Sequence, residues 1–127
     1  MSPLTSSILL ATFVTVSLAI PGGWTTQQSS SNPKFRELAH FAVAQRTDGL
    51  QNYETVLELT KVETQVVAGV NYRLTFTTAA TDCKIGEVDY SSERCPANNN
   101  QVKATCTAVV YERSWENFRS LTSLDCA

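Results

Sequence analysis

Residues 61–76 read KVETQVVAGVNYRLTF, and the alternation in their second half decides the fold. Tyr72, Leu74 and Phe76 alternate with Arg73, Thr75 and Thr77, the period of two expected of a half-buried strand. Upstream, Leu57 and Leu59 alternate in the same way, but the apolar phase then moves to Val62 and Val66. A slip of one residue in an alternating pattern predicts a bulge or a strong bend. The two strands flank Gln65-Val66-Val67-Ala68-Gly69, so they should form a hairpin with this pentapeptide at its tip.

Working outward toward the N-terminus, the period changes to that of a helix. Asn32-Pro33 reads as an N-cap followed by proline at the first helical position. Phe35, Leu38, Ala39, Ala42 and Val43 follow at i, i+3, i+4, i+7 and i+8, one apolar stripe. Gly49 is the expected stop, and His40 sits off the stripe as a solvated surface side chain. Thr25 to Ser31 reads as a polar, flexible spacer.

Toward the C-terminus, Val102, Ala104, Cys106, Ala108 and Val110 share one face of a third strand, and Phe118 to Leu124 forms a fourth, less regular run. Between them lies Ser114-Trp115-Glu116, a second hairpin turn. The midpoint of positions 106 and 126 is 116, inside that turn, so Cys106 should face Cys126, leaving Cys83 and Cys95 to close the polar loop between strands. Each bridge is expected to contribute on the order of 3 kcal/mol by restricting the unfolded chain. One amphipathic helix packed on an antiparallel sheet is an α+β domain.

The 127 residues carry 10 basic and 12 acidic side chains, a formal net charge of −2. That length suits one core rather than two. The slightly acidic balance argues against nucleic-acid binding, which needs a basic face. Ile8 to Ala19 is an uncharged, mostly apolar run too short to span a bilayer, at about 20 residues per crossing. It has the length of a secretory signal's apolar region, with Ser17-Leu18-Ala19 supplying small residues for cleavage. Residues 1–19 are therefore expected to be a signal peptide and 20–127 the mature domain, beginning Ile20-Pro21-Gly22-Gly23. No other stretch suggests a membrane span. The expected destination is extracellular, where two disulfides are the default. The cysteine spacings contain no C-x-x-C pair and no nearby histidine, so no metal or other cofactor is expected.

Hairpin turns are normally polar, yet one of these carries Val66-Val67-Ala68 and the other Trp115. Such groups at projecting tips suit insertion into a partner's cleft. The alternative is that they fold back onto their own sheet. Gly69 could serve only the hairpin's backbone, and Gly22-Gly23 could be a terminal segment without a role.

Taken in order, N-terminal Gly22-Gly23, the Gln-x-Val-x-Gly loop as Gln65, Val66, Val67, Ala68 and Gly69, Trp115 and four C-terminal cysteines resemble a secreted (type 2) cystatin. The wording of NPKFRELAHFA and KVETQVVAGVNYRL is similar to that of cystatins from tick saliva. The resemblance implies a five-stranded antiparallel sheet wrapped around the helix, with the N-terminus and two hairpins aligned as a wedge. It implies reversible, tight-binding occlusion of the cleft of papain-like cysteine proteases (cathepsins), with immunomodulation of a host as the consequence. The implied contacts are Gly22, Gly23, Gln65, Val66, Val67, Ala68, Gly69, Ser114 and Trp115. The expected state is a monomer, with a domain-swapped dimer as the other option.

Two departures stand out. Ser114 occupies the position where the family has proline, which removes a fixed φ. Thr47-Asp48-Gly49 stands where some members carry a Ser-Asn-Asp patch against legumain, so that activity is not assigned. The competing reading is a non-inhibitory binding module on the same fold. Catalysis is not expected, because bridged cysteines and a single histidine leave no ordinary nucleophile–base pair.

Overall fold

A computed structural model describes residues 23–127. The expected signal peptide and Gly22 lie outside the described residues. Five strands and one helix follow in the order β1 (Trp24–Gln27), α1 (Pro33–Val43), β2 (Asn52–Val67), β3 (Gly69–Lys84), β4 (Ala104–Arg113) and β5 (Phe118–Cys126). The strands lie side by side in that order, every pair antiparallel, so the sheet is a meander with α1 inserted between its first two strands.

The helix begins where its cap residues place it. Asn32 is extended and its side chain accepts a hydrogen bond from the Lys34 amide, with Pro33 in the first turn. Phe35, Leu38, Ala39, Ala42 and Val43 are all buried, the stripe the spacing predicts. They meet Val56, Val62, Leu74, Phe76, Ala108 and Val110 in one core. Gly49 is not the stop: the helix ends at Val43, and Ala44, Gln45 and Arg46 close its last turn by donating to His40, Ala42 and Val43 carbonyls. Gly49, at φ 76°, instead serves the next turn, a left-handed conformation that glycine adopts without strain.

Strand β2 curls around the helix by bulging more than once. Its register against β3 slips between Asn52 and Glu54, between Val56 and Glu58 and between Leu59 and Lys61. Inward residues therefore fall at Val56, Leu59 and Val62, three apart instead of two. Each extra residue adds local twist, which lets one 16-residue strand follow a cylinder. The polar spacer needs correction too. Thr25, Thr26 and Gln27 belong to β1, paired with Thr64, Glu63 and Val62, and the chain then turns through a Ser31–Gln28 hydrogen bond.

Both expected disulfides are present, Cys83–Cys95 and Cys106–Cys126. Cys106 and Cys126 are direct partners across β4 and β5, as the midpoint arithmetic requires. His40 is not a solvated side chain. It is half-buried, with Nδ1 at 2.6 Å from the Tyr90 hydroxyl, which lies 2.8 Å from Thr55 Oγ1. Burial, aided by nearby Arg36, pushes its pKa down to about 4.

Candidate functional site

The strand registers bring the candidate residues to one end of the sheet. A single row of partners runs Trp24, Gln65, Asn71, Tyr111 and Ser120 across all five strands. Beyond that row, among the described residues, lie the tip of the first hairpin, the turn of the second and Gly23. Gly23, one residue before the row and exposed, leaves on the same side as Val66 and Val67 because β1 is antiparallel to β2. The three sequence candidates thus share one edge.

Their side chains face water. Val66 is 69 % exposed, Val67 42 % and Trp115 66 %, so neither tip folds back onto the sheet. Phe118 adds a fourth large apolar group at 40 %. Ala68 and Ser114 are exposed as well. Isolated exposed apolar residues are ordinary, but several at one end of a small domain mark an interaction surface.

Two members of the pentapeptide act on the hairpin itself. Gln65 is half-buried and accepts a 2.8 Å hydrogen bond from Asn71, its partner on β3. Gly69 is buried at φ 111°, and a Cβ there would stand 2.7 Å from the Glu112 carbonyl oxygen and 2.7 Å from the Tyr111 hydroxyl. A side chain is excluded at Gly69 on two grounds, backbone conformation and space. Glycine there allows the tip to lie flush against β4.

The second turn closes as one 3-10 turn over Ser114–Glu116, with Asn117 left-handed at φ 51° and donating its amide to the Ser114 carbonyl. Arg113 braces it. Its Nε donates to Glu116 at 2.5 Å, and its guanidinium lies 4.4 Å from the centre of the Phe118 ring and 5.4 Å from that of Tyr111. These contacts hold the turn without a proline.

A similar brace fixes the start of the chain. Arg73 sits 4.1 Å over the Trp24 ring, and Glu63 holds it at 2.8 Å and 3.2 Å. Hydrogen bonding from Arg73 holds the Glu63 carboxyl below its ordinary range. Behind the second turn, Glu112 is buried on the helix side and receives Lys34 at 2.5 Å and Arg119 at 2.7 Å. Burial alone would raise the Glu112 pKa, but those charge-assisted hydrogen bonds outweigh it and the net shift is downward. The wedge residues themselves therefore carry no uncompensated charge, with Glu116 neutralised by Arg113.

Sequence reasoning missed Trp24, Tyr111, Arg113 and Phe118. The available signal was aromatic spacing: Tyr111, Trp115 and Phe118 crowd one turn, and Asn117 supplies the left-handed residue that turns Phe118 outward. Among the described residues no cluster of three or more metal-ligating side chains occurs, all cysteines are bridged, and no helix is long and apolar enough to cross a membrane.

Comparison with known proteins agrees with this fold. Residues 23–115 match the family model of the cystatin domain. Cystatin-2 of Ornithodoros moubata is 50 % identical over 108 residues, 85 % of this chain and 84 % of that protein. Mialostatin of Ixodes ricinus is 49 % identical over 109 residues, 85 % of this chain and 77 % of that protein. The crystal structure of a salivary cystatin from the soft tick O. moubata superposes with a TM-score of 0.79 at 50 % identity, covering 85 % of this chain and 99 % of that one. That of mialostatin, a gut cystatin, gives 0.78 at 48 % identity, covering 83 % and 97 %.

Proposed function

The chain belongs to the cystatin family, and from that premise we propose that it is a secreted, reversible, tight-binding inhibitor of papain-like cysteine proteases of the cathepsin type. The observation that carries this reading is the convergence of Val66, Val67, Trp115 and Phe118, all exposed, with Gly23 at one end of the sheet. A groove built for an extended substrate accepts a thin, apolar, uncharged edge of this kind. Gly22, Gly23, Val66, Val67, Ala68, Ser114 and Trp115 supply the surface, while Gln65 and Gly69 keep the first tip in shape.

The mechanism is occlusion. No peptide bond of the wedge has to be offered to the protease nucleophile, so none has to be cut. The protein contributes no chemistry of its own and is not an enzyme. Braces at every tip reduce the ordering cost of binding. An interface of roughly 1,600 Å² in total is typical of such complexes and within reach of three short elements. Cleavage after Ala19 would leave Gly22-Gly23 near the mature N-terminus, and N-terminal sequencing of secreted protein checks it.

Titrating the mature protein against an active papain-like protease tests the function. Stoichiometric loss of activity at nanomolar enzyme is expected, and retained binding to enzyme whose catalytic cysteine carries a small alkyl group would separate occlusion from thiol chemistry. Undiminished activity at micromolar inhibitor would instead favour the non-inhibitory binding module. Ser114 in place of proline is the feature that motivates that alternative, but the Arg113–Glu116 pair and the Asn117–Ser114 hydrogen bond supply the rigidity proline would have given.

A further inference from the structure

Beyond the β3–β4 pairing, one side chain links the tips of the two hairpins. Tyr111 stands on β4 opposite Asn71, on the face of the sheet away from the helix, since its neighbours Val110 and Glu112 are buried on the helix side. From there its hydroxyl donates a hydrogen bond to the carbonyl oxygen of Ala68, the residue at the extreme tip of the first hairpin. The Tyr111 hydroxyl oxygen in turn accepts from Arg113 Nη1 at 3.4 Å, and Arg113 is held by Glu116 in the second turn. The Tyr111 ring also packs edge-on to Phe118, with centres 6.3 Å apart. A continuous polar chain therefore runs from Glu116 through Arg113 and Tyr111 to Ala68, spanning the gap between the valine tip and the tryptophan turn.

Gly69 gives an independent sign that this contact is built into the fold. A Cβ at that position would stand 2.7 Å from the Tyr111 hydroxyl and 2.9 Å from a ring carbon. The glycine leaves open the space that the tyrosine fills. A single residue, Ala68, stands between the paired strands at this tip and lies outside their register. Without an external partner, the Ala68 carbonyl would be left to water and the tip free to bend about the hairpin axis.

We infer that Tyr111 is a positioning residue for inhibition: its hydroxyl locks the valine tip to the tryptophan hairpin, so that the two enter the protease cleft as one preassembled body. The inference rests on the inhibitor reading and adds a residue that does not have to touch the protease. The tip is held in its binding shape before encounter, and the fraction of molecules ready to bind rises accordingly.

Tyr111→Phe removes the hydroxyl and keeps the ring that packs on Gly69 and Phe118. The melting temperature should stay within about 2 °C of the unsubstituted protein, because the bond lies at an exposed tip. Inhibition of a papain-like protease should weaken about tenfold, the scale of one net hydrogen bond. In the free protein, amide hydrogen exchange at Val67 and Ala68 should accelerate about tenfold while the middle of the sheet is unchanged. With Val66→Ala and Val67→Ala already in place, adding Tyr111→Phe should cost less than about twofold, since the tip it positions no longer contributes. Tyr90→Phe, which deletes a hydroxyl engaged with His40 and Thr55 in another part of the molecule, should leave inhibition unchanged.

Inhibition by Tyr111→Phe within twofold of the parent, or unaltered exchange at the tip, overturns the inference. Full additivity in the alanine background overturns it differently, because the hydroxyl would then be touching the protease directly. Should the parent protein itself fail to inhibit, the inhibitor reading falls, and the exchange comparison in the free protein still decides whether the hydroxyl holds the tip.

Discussion

Val62 and Val66 lie four residues apart on the same strand, yet Val62 is sealed beneath the helix and Val66 stands mostly in solvent. The middle of the sheet and its end use the same kind of side chain for opposite purposes. In the middle, apolar groups from α1, β2, β3 and β4 bury one another and hold the fold together. At the end, apolar groups are kept out of the core by polar braces: Glu63–Arg73–Trp24, Tyr111–Ala68 and Glu116–Arg113–Phe118. The lesson is that the end of the sheet is held by polar contacts without being buried. Its free energy of exposure is left available to a partner.

If that division holds, the two regions fail separately. The largest effect is expected from Val67→Ala combined with Trp115→Ala, which should weaken inhibition by about 4 kcal/mol, near a thousandfold, while the urea midpoint hardly moves. A matching fall in stability would show that the tips belong to the core after all. The converse substitution is Leu38→Ala, in the fully buried stripe, which should cost about 3 kcal/mol of stability. Below its melting temperature this variant should inhibit as the parent does, measured by the same titration.

A smaller effect separates the regions by pH. The folded protein holds His40 near 4, below the ordinary 6.5, because the buried ring is kept neutral. Stability from this site is therefore complete above about pH 6.5 and is withdrawn as pH falls toward about 4, where the unfolded chain takes up the proton first. A loss of about 2 kcal/mol is expected across that window, allowing for the ring's partial access to solvent. Thermal melts of the parent and His40→Gln should converge in acid, and parallel curves would refute the assignment. Glu112 adds a second loss below about 4.5, since its carboxylate is favoured by Lys34 and Arg119 in the folded state. The smallest effect belongs to Ser114→Pro. Arg113 is already extended, at φ −116° and ψ 97°, outside the α region that a following proline disfavours. The substitution should raise stability by about 0.5 kcal/mol and change inhibition by less than about threefold.

Legibility differed by element for physical reasons. The helix stripe and the Tyr72–Leu74–Phe76 alternation were readable because burial on one side imposes a period. The Cys106–Cys126 pairing was readable because an antiparallel hairpin fixes register from the position of its turn. Strand β1 was not, since Thr25, Thr26 and Gln27 form an edge strand that buries little and shows no apolar period. Gly49 misled because a glycine of positive φ serves any turn, and the helix was closed earlier by its own carbonyls. His40 misled because the residue that covers it, Tyr90, lies 50 positions away in a loop.

The amino-acid sequence by itself determined the class of fold, the helix start, the two cystines, the hairpin tips and the family to which the chain belongs. The structural features follow from local periodicity, capping chemistry and turn position, all of which act within a few residues or one hairpin, and the family from the ordered motifs that carry the resemblance. Only the tertiary structure decided that the tips stand in solvent, that Gln65 accepts from Asn71 and Gly69 packs closely on β4, and that Tyr111, Arg113 and Trp24 brace the edge. Each of these depends on contacts between strands distant along the chain, whose partners and directions are set when the sheet closes around the helix and are not encoded in any local pattern.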